Sequence, residues 1–285
     1  MLALVMHNQA ARFSNHGVHM TFKFKVAAAA VALLAIGAAQ AQKAPVPDYT
    51  LSANVGAVSQ YRFRGIEQTS GAPALQAGVD FAHKNGFYAG AWTSNVTWVQ
   101  DLNGANSGSR EVDYFLGFKT SMSDVAVDVG YIRYSFPGNS SGAQGTLGAG
   151  LFSNADTNEA YLGLGYGIFN FKYSQSVGDF LGNIKSGGSK YYDLSLNFDL
   201  GNGFVLVPHV GRQTVSNVAN NAADYNDYAL TLNKDFGNGW SASIAAVGTD
   251  AKEGGPYSTV PQLNPGKVNR FLGSSAGVLG VKYTF

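Results

Sequence analysis

Apolar and polar residues alternate one by one in several segments of this chain. In YYDLSLNFDL, residues 191–200, every second position from Tyr192 to Leu200 is apolar or aromatic. The same period of two recurs in residues 75–82, 111–119 and 277–285. This is the pattern of a β-strand with one apolar and one polar face. After residue 41 no segment keeps a helical period or reaches the roughly 20 apolar residues of a membrane-spanning helix, so an all-β chain is predicted.

The connections between the predicted strands alternate strictly between short and long. Five are tight turns, at 84–86, 121–124, 165–168, 201–203 and 237–239, and six are polar loops, near 64–73, 99–110, 136–156, 177–190, 215–223 and 250–271. Short periplasmic turns opposite long extracellular loops are typical of outer-membrane barrels, whereas a soluble β-sandwich has no reason to sort its loops by length. We therefore expect a closed antiparallel transmembrane β-barrel of about 12 strands, with both ends of the barrel segment periplasmic.

Composition agrees with a barrel and removes several functional classes. The 285 residues include 36 Gly, 15 Tyr and 18 Phe, no Cys, and a formal net charge of +1. The lack of Cys excludes disulfides, thiolate zinc sites and cysteine nucleophiles, and the balanced charge gives no indication of a nucleic-acid partner. Aromatic residues near strand ends are typical of girdles at the membrane interfaces. We expect these to face outward: Trp92, Trp98, Tyr131, Tyr134, Phe204, Trp240 and Tyr283.

The N-terminal segment carries the pattern of a secretory signal peptide. Lys23 and Lys25 precede an apolar run over residues 26–38, and Ala39-Gln40-Ala41 follows as a small-residue cleavage site. A membrane anchor is the alternative, but the run is too short for one. Residues 1–41 are therefore predicted to be an N-terminal extension plus a signal peptide that starts at Met20 and is cleaved after Ala41. Residues 42–285 then form the barrel in the outer membrane of a Gram-negative bacterium.

The last predicted strand ends on Phe285 and resembles the C-terminal assembly signal of bacterial outer-membrane barrels. That resemblance implies recognition by periplasmic chaperones and by the barrel-assembly machinery. The other expected partners are outer-membrane lipid around the barrel and small solutes within it. No cofactor, metal ion or nucleic acid is expected.

Two blocks near the start of the predicted barrel carry a family resemblance. Residues 61–69 read YRFRGIEQT, and residues 87–96 contain FYAG, Trp92 and SNV. Together with EAYLG at 159–163, DLS at 193–195 and DLGNG at 199–203, they are similar to the TorF-type family of proteobacterial outer-membrane porins. The similarity covers essentially all of the chain after residue 41. It implies a porin fold and brings no catalytic residues.

Charged residues on the predicted inner face are the candidates for lining a pore. They are Arg62, Arg64, Asp80, Glu111, Asp113, Lys119, Asp128, Glu159, Lys172 and Asp193. Arg62 and Arg64 are expected at the top of the first strand, where two interpretations stand. They attract anions at a basic constriction, or they pair with lumenal acids such as Asp80 or Asp113 and hold the barrel together.

Other sequence features carry little chemistry. GSSAG at 273–277 matches a nucleophile-elbow pattern by letter, but that motif needs a strand, a turn and a helix, and here it opens a strand. His209 is a candidate base only if a Ser lies within about 3 Å. Pro208 falls within a predicted strand and requires either a local bulge or a different register. Asp199 and Asp235 lie beside tight turns and are expected to cap them.

These patterns predict a channel rather than an enzyme. Its function is passive diffusion of small polar or ionic solutes through a hydrated lumen. One alternative is a closed structural or adhesion-type barrel that acts through the loops at 136–156 and 250–271. A second alternative is a lipid-modifying enzyme of the outer membrane that uses His209.

Overall fold

The structure, a computed structural model, describes residues 47–260, 262, 263, 265 and 269–285. The predicted signal peptide and its cleavage site after Ala41 lie outside the described residues. Within the described ranges, no helix has both the length and the apolar character needed to cross a membrane.

The regular secondary structure of the described chain is almost entirely strand. The strands are β1 (Tyr49–Val58), β2 (Arg62–Phe63), β3 (Ile66–Glu67), β4 (Ala74–His83), β5 (Phe87–Asn95), β6 (Arg110–Met122), β7 (Val125–Ser135), β8 (Thr157–Tyr166), β9 (Phe169–Ser176), β10 (Lys190–Leu196), β11 (Phe198–Gly201), β12 (Phe204–Thr214), β13 (Tyr225–Gly237), β14 (Trp240–Thr249) and β15 (Ala276–Thr284). One helical turn, α1 (Trp98–Asp101), and one 3₁₀ turn (Ala219–Asn221) lie in the loops.

The strands close into a barrel of twelve antiparallel strands. Barrel strands that follow one another in the chain pair throughout, and β1 pairs with β15 to close the sheet. β10 and β11 both pair with β12 and act as one strand interrupted at Asn197, while β2 and β3 form a separate two-stranded sheet. The predicted fold class, strand number and alternation of short turns with long loops are confirmed.

The tight turns have the chemistry that the sequence indicated. The backbone N–H of Gly201 donates to Oδ1 of Asp199 at 2.9 Å, and that of Gly237 donates to Oδ1 of Asp235 at 2.8 Å. Both carboxylates therefore stabilise turns at one rim of the barrel, as predicted.

The outer face of the barrel is apolar and exposed. Leu51, Leu75 and Leu279 are 68%, 73% and 59% exposed. Four of the predicted girdle residues also lie on this face: Tyr131, Phe204, Trp240 and Tyr283. The prediction is wrong for Trp92 and Tyr134, which are buried inside the barrel because each is in phase with inward-facing residues of its strand, and for Trp98, which is buried in α1.

Pro208 is accommodated without a bulge. The register is the same on both sides of it, with Ser195 opposite His209 and Phe198 opposite Leu206. Proline has no N–H to donate, and the ladder is interrupted at the facing position, between β10 and β11. The predicted strand is therefore present, and neither the bulge nor the different register that the sequence left open at Pro208 is found.

The first long loop departs from the predicted barrel. β1 ends at Val58, and residues 60–68 turn into the lumen, where they form β2 and β3; we call this segment the lumenal hairpin. Tyr61, Arg62, Arg64 and Glu67 are each at most 3% exposed. Arg62 and Arg64 therefore do not lie on the first strand, as the sequence predicted, but on a separate hairpin inside the barrel.

The seam that closes the barrel is short. β1 makes ten residue pairs with β4 but only five with β15, from Asn54–Thr284 to Val58–Gly280. At the top of the seam, the N–H of Leu279 donates to Oγ of Ser59, a residue 220 positions earlier in the chain.

Candidate functional site

The lumenal hairpin turns at Arg64 and Gly65. Both residues have positive φ, of 48° and 80°, and Arg62 pairs with Glu67 on either side of the turn. A Cβ at residue 65 would lie 2.5 Å from Cγ2 of Thr249 and 2.8 Å from Cβ of Asp227. Only glycine combines this backbone conformation with such a close approach. The tip of the hairpin is therefore pressed against the inner face of β13 and β14.

Arg64 extends from this tip across the lumen. Its Nη2 lies 2.6 Å from Oε2 of Glu159 on β8, and its Nη1 donates to Oε1 of Gln213 on β12 at 2.8 Å. The guanidinium also lies 4.2 Å from the ring centre of Tyr191 and 4.7 Å from that of Phe63. Burial alone would lower the pKa of Arg64, but the attraction of Glu159 raises it overall. The guanidinium stays charged and clamps the hairpin to three strands.

Arg62 fixes the base of the hairpin to the last long loop. Its Nη1 donates to the carbonyl oxygens of Gly65 and Leu272 at 3.1 Å and of Ser274 at 2.8 Å. Its Nη2 lies 3.9 Å from Glu67, whose carboxylate also pairs with Arg270 at 2.9 Å. Burial lowers the pKa of the Arg62 guanidinium. Both arginines are thus paired inside the barrel, with Glu159 and Glu67 rather than with the Asp80 or Asp113 that the sequence suggested.

Aromatic contacts complete the packing of the hairpin. The Tyr61 ring meets Trp92 edge-on at a centroid distance of 5.4 Å, and Phe63 meets Tyr134 in the same way at 5.4 Å. Ile66 is 4% exposed. The two aromatic residues that the girdle prediction placed outside are therefore the wall against which the hairpin packs.

A second buried polar group lies beneath the tip of the hairpin. Nε2 of His209 lies 3.3 Å from Oδ2 of Asp193, and Nδ1 lies 3.4 Å from Oδ1 of Asp227. The Tyr191 hydroxyl donates to Asp227 at 2.9 Å. The described hydrogen-bond and ion-pair partners of the His209 ring are thus two carboxylates and a phenol, and none is a serine. The geometry lacks the Ser–His contact that the enzyme hypothesis requires.

The periplasmic half of the lumen is lined by polar side chains that are more exposed than those around the hairpin. The Tyr88 hydroxyl donates to Asp128 at 2.6 Å, and Nζ of Lys119 lies 3.8 Å from the same carboxylate. Nζ of Lys172 lies 3.8 Å from the ring centre of Tyr161. The side chains of Lys119 and Asp128 are 34% and 28% exposed. The side chains of this half are therefore polar and partly accessible to solvent, and we call this part of the lumen the periplasmic cup.

All ten sequence-predicted site residues have side chains inside the barrel, but they do not form one ring. Arg62 and Arg64 are on the hairpin. Four carboxylates surround it: Glu111, Asp113, Glu159 and Asp193. The other four line the periplasmic half: Asp80, Lys119, Asp128 and Lys172. Whether any of them lines a conducting pore stays a prediction.

Sequence reasoning missed three residues that hold the hairpin. Gln213 and Tyr191 contact Arg64, and Glu67 pairs with both Arg62 and Arg270. Alternation was the available signal for the first two, since Gln213 is in phase with His209 on β12 and Tyr191 is in phase with Asp193 on β10. No local pattern indicates the partners of Glu67, because Arg270 lies 203 residues away.

The extracellular loops pack on one another above the hairpin. Nδ2 of Asn103 donates to Oγ of Ser141 at 3.0 Å, and the N–H of Ser153 donates to the carbonyl of Gly182 at 2.7 Å. The Tyr257 hydroxyl donates to the carbonyl of Ala223 at 2.7 Å. The described residues of the loops at 99–109, 136–156, 177–189, 215–224 and 250–275 therefore pack together as a cap.

The fold is similar to that of a solved porin structure. No curated protein sequence matches the chain. Among solved structures, the KdgM porin in complex with disordered oligogalacturonate is similar with a TM-score of 0.50 at 8% identity, over 82% of this chain and 99% of that one. The NanC porin is similar with a TM-score of 0.48 at 13% identity, over 83% and 99%. The first likeness shows the fold alone, since identity is so low.

The relation by sequence is specific to one family. The resemblance to TorF-type porins stays a prediction, because no comparison carries that assignment. The model of the family described as "Bacterial protein of unknown function (Gcw_chp)" matches residues 41–285, which include every described strand. The chain belongs to this family.

Proposed function

We propose that the protein is a porin-like channel of the outer membrane through which small polar or ionic solutes diffuse passively. The observation that carries this proposal is the polar, partly exposed cup in the periplasmic half of a twelve-stranded barrel. Twelve strands enclose more space than the ~8 whose interior side chains fill and less than the ~16 of general porins. The lumenal hairpin is then the constriction. No step of this function requires catalysis.

The outer surface supports a membrane location. Soluble monomers rarely expose contiguous apolar area of more than a few hundred Å², and here the outward positions of all twelve strands are mostly apolar. Lipid is the partner that such a band requires. Export by the signal peptide, cleavage after Ala41 and delivery through the Phe285 strand complete the proposed route.

One observation favours a second candidate function. The hairpin is packed by aromatic contacts and buried ion pairs rather than merely placed in the lumen. A barrel closed in this way could act through its extracellular cap as a structural or adhesion-type protein. The two functions differ in whether solutes and ions cross the barrel at all.

Single-channel recording separates the two candidates. The full chain would be expressed in a Gram-negative host, extracted from the outer membrane and inserted into a planar bilayer. N-terminal sequencing of the same sample checks cleavage after Ala41. Discrete conductance steps from protein with heat-modifiable gel mobility are expected of the channel. A folded barrel that gives no steps over repeated insertions would refute the channel and favour the closed barrel.

A further inference from the structure

We propose that Glu111 and Asp113, with Gln76, form a cation-binding site beside the lumenal hairpin, and that this site makes the channel prefer cations. The selectivity part rests on the proposed function, whereas the binding part does not. The site lies on the inner face of β4–β6, near the extracellular end of the lumen.

The two carboxylates are buried without a counter-charge. Glu111 and Asp113 are two positions apart on β6, face the same side, and are 2% and 5% exposed. Neither forms an ion pair with any basic side chain in the described part of the chain. The other acids near the hairpin differ, since Glu159 and Glu67 each pair with an arginine. Buried charges normally need a partner, so this pair either binds a cation or holds a proton between its two carboxylates.

Gln76 shows the same lack of partners at the same level of the barrel. It lies opposite Ser94 on β5, and Ser94 lies opposite Glu111 on β6. Gln76 is 5% exposed, and both its Oε1 and its Nε2 lack a hydrogen-bond partner among the described residues. Oε2 of Glu111 and Oδ1 of Asp113 lack one as well. Buried polar atoms without partners are rare and indicate water or an ion, and here four of them lie on two strands, β4 and β6, on either side of β5.

The donor set selects the class of ligand. Two carboxylates and an amide oxygen are hard oxygen ligands, which suit Ca²⁺, Mg²⁺ and the alkali cations rather than soft metals. The Tyr61 hydroxyl closes the site from the hairpin side and donates to Oε1 of Glu111 at 3.3 Å. Burial, together with both carboxylates, raises the pKa of Tyr61, so its hydroxyl remains a donor.

The same arrangement sets the sign of the selectivity. Arg64 pairs with Glu159, while Glu67 is shared by Arg62 and Arg270. Of the four lumenal carboxylates around the hairpin, Glu111 and Asp113 are the two that pair with no basic side chain among the described residues. Rings or clusters of carboxylates in a narrow pore attract cations and repel anions. A basic, anion-attracting constriction is the opposite arrangement.

Terbium luminescence tests the binding site independently of conduction. Tb³⁺ binds oxygen ligands as Ca²⁺ does and emits when a nearby aromatic ring transfers energy to it; Tyr61 and Trp92 are adjacent to the site. The folded wild-type protein is expected to give sensitised emission that Ca²⁺ displaces. Glu111→Gln/Asp113→Asn should weaken Tb³⁺ binding at least tenfold, taking ~10-fold as the least that loss of a ligand costs.

Matched variants control for charge and for folding. Asp80→Asn/Asp128→Asn removes two lumenal carboxylates from the periplasmic half and should keep the Tb³⁺ affinity. Gln76→Leu keeps both carboxylates and should still weaken binding, which covers the case in which the double variant does not fold. No emission from the wild type, or equal affinity in wild type and Glu111→Gln/Asp113→Asn, would overturn the site. A proton shared by the two carboxylates would give that result.

Reversal potentials in a KCl gradient then test the selectivity. The wild type is expected to prefer K⁺ over Cl⁻, and Glu111→Gln/Asp113→Asn should lose most of that preference while Asp80→Asn/Asp128→Asn loses less. A conducting wild type that prefers Cl⁻ would refute the inference and leave the proposed channel intact. A wild type that binds Tb³⁺ but never conducts would instead refute the channel and the selectivity while the cation site stands.

Discussion

The two halves of the lumen share one wall but are filled in different ways. On the extracellular side the wall meets a hairpin, and the arginines, acids and aromatic rings there are almost completely buried. On the periplasmic side the same strands carry Lys119, Asp128 and Lys172, which pair with one another or with tyrosines and remain partly exposed. The wall therefore does not decide whether the lumen is open. The feature that distinguishes the two halves is the hairpin, nine residues of one loop.

This difference in burial also changes how much an ion pair contributes to the stability of the protein. The pair of Arg64 and Glu159 is 4% and 1% exposed, whereas that of Lys119 and Asp128 is 34% and 28% exposed. Breaking a buried pair leaves an uncompensated charge and costs about 3–5 kcal/mol, while a solvated pair contributes about 0–1 kcal/mol. Mutations in the two halves should therefore differ in effect by several-fold.

Removing the hairpin is the strongest way to test this comparison. Replacing residues 60–68 with a short Gly-Ser connection should raise single-channel conductance severalfold, because it removes the segment that fills the extracellular half of the lumen. The barrel itself should still form, since its ladder does not include β2 or β3. The barrel should keep its heat-modifiable mobility. Shortening the exposed loop tip at residues 143–147 is the control and should leave conductance unchanged. If conductance is the same with and without the hairpin, the extracellular half is not closed by it.

Loosening the hairpin should have the next largest effect. Arg64→Ala leaves Glu159 and Gln213 without their partner and should weaken docking of the hairpin by about 3–5 kcal/mol. Recordings should then show frequent large openings that are rare in the wild type. Arg64→Lys keeps the charge but not the two-sided hydrogen bonding and should be intermediate. Opening statistics that match the wild type in Arg64→Ala would contradict the clamp.

The smallest change is expected in the periplasmic half. Lys119→Met removes one partner of a partly exposed pair, so stability should fall by no more than about 1 kcal/mol. Conductance should change slightly, and the frequency of large openings should not change at all. Denaturant unfolding and recordings of Lys119→Met beside Arg64→Ala would check this. An effect on opening as large as that of Arg64→Ala would remove the distinction between the two halves.

The barrel could be predicted from the sequence because its rules are local. A period of two, tight turns around Gly and Asn, and loops sorted by length each follow from adjacent residues. The same alternation also indicates that Trp92 and Tyr134 face the lumen, because each is in phase with small or polar lumenal residues of its strand. Residue type alone predicted a girdle position for both, whereas their phase in the strand predicts the lumen.

The hairpin could not be predicted from such rules. Residues 61–64 continue the alternation of β1, so the sequence indicates one long strand through Arg64. What turns the chain inward is a pair of positive φ values at Arg64 and Gly65, stabilised by partners far along the chain. Glu159 lies 95 residues from Arg64, and Gln213 lies 149 residues from it. Local pattern carries no information about contacts of that range.

The five-pair seam between β1 and β15 has a consequence for assembly. Every other junction of the barrel joins strands that follow one another in the chain, whereas this one joins residues about 220 positions apart. Local hairpins form before distant segments meet, because chain closure costs more entropy at greater separation. The barrel should therefore pass through an open sheet whose two free edges are β1 and β15. Such edges are templates for strand addition, so the unfinished barrel is most vulnerable to invasion by a foreign strand at this one junction.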